Sequence, residues 1–384
     1  MDEEVQDPYQ GREQTAVKHR ILERYLERFA HIIGSRWSTL TYIDCFSGPW
    51  QAHSEELEDT SFSIALRQLR TARDTYKKRG RHLKLRCLFL EKDPTAYSRL
   101  KAFADRVTDA EVKTINSRFE DAISELVDFA QAGGRESFPF VFIDPKGWTG
   151  IAIRTIGPIL RLQPGEVLIN FMLDPIRRFI ESPQEPTQQS FEDLFGISTY
   201  RDRLSGLRGQ ELEEEAIALY SDSLRGIGHF EYVCCATILY PEIDKTYFNL
   251  LYASRHFRGA QAFKEAEHKA MQLMEGERAK AAVRRRARML KNRELFTDAA
   301  TERTKHLETL RERYLDQARN RLREVVEKEG RITYERGWSE TSRFPLVWER
   351  DMKKWLHGEI EASGLRPNQR TPKLGGGNYL IWKK

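Results

Sequence analysis

No stretch of this sequence approaches the ~18 uncharged apolar residues that a membrane-spanning helix needs, so no transmembrane helix is expected. The opening residues Met1-Asp2-Glu3-Glu4 are acidic and no apolar run follows them, which speaks against a signal peptide. Cysteine is scarce. Cys45, Cys87, Cys234 and Cys235 make no Cys-x-x-Cys pair and have no histidine at zinc-ligand spacing. That argues against a disulfide framework or a zinc module and for reduced thiols in a cytoplasmic protein, with no metal site. The Gly-x-Gly-x-x-Gly fingerprint of nicotinamide dehydrogenases is missing. Internal repeats and low-complexity tracts are also missing, which excludes solenoids and bulk disorder.

What is present is a chain of 384 residues, 40% hydrophobic and 32% charged, long enough for two or three domains with real cores. Its net charge of +5 is unevenly spread. Residues 278–323 hold 15 Lys/Arg against 6 Asp/Glu, and the rest of the chain is slightly acidic. Such a segment is either an electrostatic footprint for nucleic acid or a solvated, charge-rich helix.

Residues 12–33 carry Val17, Ile21, Leu22, Tyr25, Leu26, Phe29 and Ile32 at helical spacing. Short β-rich runs then alternate with helical stretches. The runs are Leu40–Phe46, Leu85–Glu91, Val112–Asn116, Phe140–Asp144 and Val167–Phe171, and the stretches are about 61–79, 94–106, 118–132 and 151–162. Continuous apolar runs of this kind are parallel strands covered on both faces, so a doubly wound α/β sheet is expected. Phe230–Tyr240 and Thr246–Ser254 are separated by only five residues, too few for a parallel crossover, so they form an antiparallel hairpin. Five parallel strands plus a terminal antiparallel hairpin fit the class I methyltransferase-like variant of the Rossmann sheet. Residues 260–329 are helix-forming and free of proline. Ser342–Ser363 reads as one helix, and Asn378–Trp382 as a strand after a Pro/Gly-rich turn region. The organisation expected is a methyltransferase-like α/β domain over 1–265, a basic helical linker over 266–330 and a winged-helix-like domain over 331–384. A helical cap closing an apolar face is the plainer alternative for the last part.

Ligands of open α/β sheets bind outside the carboxyl ends of the strands, so the residues there carry the functional argument. Asp44-Cys45-Phe46-Ser47-Gly48-Pro49 follows the first strand, an acid-x-Phe-x-Gly pattern like motif I of S-adenosylmethionine-dependent methyltransferases; a tight turn also wants Gly and Pro. Glu91 ends the second strand, where a carboxylate can accept both ribose hydroxyls of an adenosyl cofactor, and Asp93 before Pro94 suits a helix cap. Phe119 and Asp121 stand where adenine contacts are placed. Asp144-Pro145-Lys146-Gly147-Trp148 resembles the Asp-Pro-Pro-aromatic loop of amine methyltransferases, in which acid and carbonyl accept from the target amine while an aromatic stacks on the base. Asp144, Pro145 and Trp148 are therefore catalytic candidates. Lys146 departs from the pattern and suits a phosphate better than an amine. Lys18, His19, Asn170 and Arg178 are candidates for substrate contacts, with surface charge or a satisfied core amide as the bland alternatives. Arg177, Arg178, Arg255, His256 and Arg258 are candidates for a basic rim, with solvated loop charge as the alternative.

Taken with these motifs, the sequence resembles the bacterial three-Cys-motif partner (TcmP) family over roughly residues 14–270. The resemblance rests on Thr15-Ala16-Val17-Lys18-His19, Tyr42-Ile43-Asp44-Cys45-Phe46-Ser47-Gly48-Pro49, Phe89-Leu90-Glu91-Lys92-Asp93, Phe142 through Gly150, Val167 through Met172, Arg178-Phe179, Tyr252 through His256, and Gly259. It departs at Cys45 and Trp50, where the family has glycine, and at Lys146, where it has an aromatic. The resemblance implies a methyltransferase-like fold, in some members with a C-terminal winged helix, and neighbours that are three-cysteine, radical-enzyme-like proteins. The function expected is S-adenosylmethionine-dependent methylation of a nucleic acid or nucleotide, with DNA or RNA held through 278–384. The alternative is an inactive methyltransferase fold that binds nucleic acid or completes a three-cysteine radical-type enzyme.

Overall fold

The apolar stripe at the start of the chain forms α1 (Glu13–Gly34), whose Val17, Ile21, Leu22, Tyr25, Leu26 and Phe29 are buried, as one packed face of a 3.6-residue period requires. The computed structural model describes residues 9, 11–48, 57, 59–290, 299–362, 365–367 and 379–382. After α1 the alternation runs β1 (Thr39–Asp44), α2 (Ser61–Lys77), β2 (Lys84–Leu90), α3 (Pro94–Ala104), β3 (Glu111–Ile115), α4 (Phe119–Ala132), β4 (Ser137–Ile143), α5 (Ile153–Leu160) and β5 (Glu166–Met172). Asp93 caps α3, accepting from the Ala96 amide at 2.8 Å with Pro94 in the first turn. Four helices that the strand-centred reading passed over come next: α6 (Asp174–Phe179), α7 (Glu185–Phe195), α8 (Tyr200–Leu204) and α9 (Gly209–Gly228). The hairpin follows as β6 (Tyr232–Leu239) and β7 (Thr246–Ser254), then α10 (Phe257–Leu290) and α11 (Ala299–Glu329). The chain ends in β8 (Arg331–Thr333), α12 (Tyr334–Thr341), α13 (Glu349–Ala362), β9 (Leu365–Pro367) and β10 (Tyr379–Trp382). Among the described residues no helix is long and apolar enough to cross a membrane.

The main sheet has seven strands in the order β3-β2-β1-β4-β5-β7-β6. β1 to β5 pair in parallel, and β7 is antiparallel to both neighbours. The expected hairpin is there, with its second strand inserted between β5 and β6. Met172 pairs with Phe248 and Val167 with Ala253, so β7 starts at the carboxyl edge of the parallel strands and ends at the amino edge.

Two apolar cores cover the two faces. α1, α2, α10, α11 and the C-terminal elements share one, and α4, α5, α7 and α9 share the other. The four cysteines are free and buried, and burial pushes the Cys87 thiol up to about 12 and the Cys234 thiol to about 11.

The C-terminal part corrects one expectation. Ser342–Ser363 is not a single helix: α12 stops at Thr341 and α13 starts at Glu349. Pro345 would lack a hydrogen bond and clash inside a helix, and Leu346 beside it takes a left-handed φ of +58°. A buried ion pair holds this turn. Lys264 on α10 lies 2.5 Å from Glu267 and donates to the carbonyls of Cys235 (3.0 Å) and Phe344 (2.9 Å). Glu267 accepts from the Leu346 amide at 2.8 Å. One Lys-Glu pair therefore joins α10, strand β6 and the α12–α13 turn. β8, β10 and β9 form a separate three-stranded antiparallel sheet.

Candidate active site

The first loop is built around Asp44, which is fully buried at the tip of β1. Its carboxylate accepts from the Phe46 amide (3.1 Å), the Ser61 hydroxyl (2.6 Å) and the Tyr42 hydroxyl (3.3 Å), and Ser47 Oγ bonds its carbonyl. Burial raises Asp44 to about 6 despite these bonds. Asp44 thus shapes the turn from within. The Ser47 amide donates to the Leu90 carbonyl at 2.8 Å, tying the loop to the end of β2. Gly48 is half-buried beyond it, while Pro49 and Trp50 lie outside the described residues.

Glu91 sits beside this loop, 3% exposed, with Oε1 accepting from the Asp93 amide at 2.7 Å. Asn116 donates to the Glu91 carbonyl at 2.8 Å, drawing in the loop after β3. Two acidic strand tips therefore stand next to one another at one edge, an arrangement suited to a ribose with two hydroxyls. Phe119 is buried in the core, 5.1 Å from the Phe46 ring, so it props the first loop from below and offers little face to a ligand. Asp121 is exposed in the first turn of α4.

The fourth loop holds the tightest cluster. Asn170 on β5 donates to Asp144 Oδ1 at 2.6 Å, and Lys18 on α1 bonds Oδ2. Asn170 Oδ1 is buried and, among the described residues, has no hydrogen-bond partner. Lys18 Nζ also lies 5.8 Å above the Phe248 ring. α1 therefore crosses the strand ends and delivers Lys18 to Asp144 over 126 residues of sequence. His19, the next residue, turns elsewhere. Its Nδ1 shares a hydrogen bond with the Tyr9 hydroxyl at 3.1 Å, and burial with the nearby Lys18 charge lowers the imidazole to about 3. His19 lines a cavity of about 560 Å³ between α1, α2 and α10, with Arg20, Arg67, Lys269 and Lys280 on its walls. Asp144 and Glu91 are not among its lining residues.

Pro145 is buried. Gly150 lets the first and fourth loops meet, because a Cβ there would lie 2.9 Å from Phe46 and 3.0 Å from Pro145. Gly147 has φ +128°, open to glycine and few others. Lys146, in the loop after β4, and Arg178, on α6 after β5, are exposed. Trp148 is packed: its ring is parallel to Phe191 at 5.9 Å and its indole N–H donates to Ser190 at 2.9 Å.

The basic rim is corrected. Arg255, His256 and Arg258 follow β7, so they lie at the amino edge, away from Asp144. Arg255 is consumed by the carbonyls of Leu160, Leu162, Gly165 and Gly228. Arg177 is bound to Asp174 and Glu213. Residues not anticipated take their place at the carboxyl edge: Tyr240, whose hydroxyl bonds Asp174, and Tyr247 and Phe248 at the start of β7. The five-residue hairpin was the signal that could have placed them, since an antiparallel strand must begin at that edge.

No protein-family model matches the chain, and no curated protein is significantly similar to it. Among solved structures it is similar to protein LPL1258 of Legionella pneumophila str. Philadelphia 1, a DUF519 protein (TM-score 0.35, 13% identity, 61% of this chain and 84% of that one). It is also similar to a methyltransferase candidate from Thermobifida fusca YX (TM-score 0.33, 13% identity, 62% and 81%). A third is a loganic acid methyltransferase solved with SAH (TM-score 0.29, 8% identity, 75% and 91%). None of these likenesses assigns a substrate or a residue role here. The strand order with its reversed β7 defines the class: a class I methyltransferase-like Rossmann fold.

Proposed function

We propose that this chain is an S-adenosylmethionine-dependent methyltransferase acting on a nucleic acid or nucleotide. The observation that carries this reading is the meeting, at one sheet edge, of the acidic tips of β1 and β2 with the Asp144–Lys18–Asn170 cluster. Glu91 would accept the ribose hydroxyls, while Asp44 and Gly48 would keep the first loop in the shape that admits the cofactor. Bound S-adenosylmethionine supplies a methyl group on a sulfonium. The chain's own residues then have to orient an acceptor against it. Lys18 and Asn170 fix both oxygens of Asp144, and each oxygen retains a second lone pair. Asn170 Oδ1 adds an acceptor beside them that has no partner among the described residues. Two neighbouring acceptors suit an amino group with two hydrogens. Lys146 and Arg178 would hold phosphate.

The basic helices and the C-terminal module, read as a winged helix, would add affinity for the nucleic acid. The motif resemblance to the TcmP family agrees with a methyltransferase-like scaffold and names no substrate. One observation favours the alternative of a scaffold without turnover, acting as a nucleic-acid binder or as partner of a three-cysteine radical-type enzyme. Asp144 already has an internal cation in Lys18.

Calorimetric titration with S-adenosylmethionine tests the reading. Micromolar binding that Glu91→Ala abolishes is the expected result. No heat at millimolar ligand overturns it, and capture of a cysteine-rich companion would then favour the partner role.

A further inference from the structure

An acceptor base needs an aromatic face beside Asp144. Trp148, to which the loop motif points, is poorly placed to give one. Its ring lies parallel to Phe191 (5.9 Å, 9°) with Phe179 at 6.0 Å, and its N–H is taken by Ser190. That ring wedges the fourth loop against α7.

A second half-buried ring lies at the carboxyl edge, at the start of β7. Tyr247 is half-buried, and among the described residues its hydroxyl makes no hydrogen bond. Its ring is 4.4 Å from Tyr240 and 5.3 Å from Phe248. Tyr240 is anchored from behind, its hydroxyl bonded to Asp174 and Lys245 lying 5.9 Å over its ring. Phe248 underlies Lys18, which holds Asp144. Phe248 and Lys18 therefore link Tyr247 to Asp144. Burial raises its phenol, and the charges of Asp174 and Asp144 push it the same way, as proximity to both requires.

We infer that Tyr247, backed by Tyr240, is the surface on which the acceptor's base stacks beside Asp144; this rests on the methyl-transfer reading above. A half-buried aromatic pair at the carboxyl edge suits a planar ring of any base identity.

The test is fluorescence anisotropy with a labelled six-nucleotide oligoadenylate, titrated over a salt series. Tyr247→Leu is expected to weaken binding roughly tenfold, while Tyr247→Phe stays within about twofold of wild type. The slope of affinity against salt is expected to be unchanged, because stacking releases no counterions. Thermal melting checks that Tyr247→Leu is folded. Wild-type affinity in Tyr247→Leu overturns the inference. So does absence of oligoadenylate binding by wild type. Calorimetry with S-adenosylmethionine on the same proteins separates the two failures: intact cofactor binding alongside a negative result here leaves the methyltransferase reading standing.

Discussion

Asp144 owes its orientation to two residues from distant parts of the chain, Lys18 on the first helix and Asn170 on the fifth strand. Neither is near it in sequence, and both oxygens are fixed. On the proposed function, Asp144→Ala is therefore expected to abolish methyl transfer while leaving the S-adenosylmethionine affinity, measured by calorimetry, within about threefold of wild type, since the proposal gives the cofactor's contacts to Glu91. Loss of both would make Asp144 a cofactor or structural residue. The acids themselves were legible in the sequence, because a carboxylate ending an apolar run stands out. Their partners were less so. Lys18 was a candidate without a known partner, since helix spacing says nothing of which strand end a helix crosses. Tyr247 escaped because an aromatic at the start of a strand reads as core. Phe119 shows the converse: the motif order made it a candidate for adenine contact, and its ring is buried against Phe46.

At the scale of elements, the strand-helix alternation and the hairpin could be read because apolar runs and a five-residue connection leave few topologies. The insertion of β7 next to β5 could not, since pairing between distant strands has no local signal. Ser342–Ser363 looked like one helix because its apolar spacing outweighed Pro345. The turn is held instead by Lys264 and Glu267, nearly inaccessible to water. Removing one member of such a pair strands the other charge in the core. Lys264→Met is expected to cost about 3–5 kcal/mol in urea unfolding. Lys264→Met combined with Glu267→Leu should recover much of that, because no buried charge then remains. Limited proteolysis of Lys264→Met should cut first near the α12–α13 turn.

At the scale of the molecule, the basic segment is partly committed to internal ties. Arg278 pairs with Asp244, Arg284 with Glu13, Arg311 with Asp351, Arg313 with Glu214 and Arg321 with Glu340. Charge counting cannot distinguish such ties from a nucleic-acid footprint. Stability against pH is a global property with a local cause here. His19 is held near 3, below its unfolded value, so its contribution is complete above pH 6.5 and is lost as the pH falls from there toward 3. Asp44, raised to about 6, acts oppositely: it stabilises at low pH and loses that effect as the pH rises through 6. The two overlap, so the difference between wild type and His19→Gln isolates the histidine. That difference should change by about 2 kcal/mol between pH 7 and pH 5, with wild type losing more, as read by denaturant unfolding.

The reversed strand has a consequence for synthesis. Until Thr246–Ser254 has been made, β5 has a bare hydrogen-bonding edge and β6 has no neighbour to join. The first helix likewise waits for α10, its largest helical partner, more than two hundred residues downstream. A nascent chain, or a fragment cut before Thr246, therefore displays a sticky apolar ribbon to its surroundings. The last strand to pair in the main sheet is an inner one, so folding is completed by wedging it into place rather than by adding to a rim.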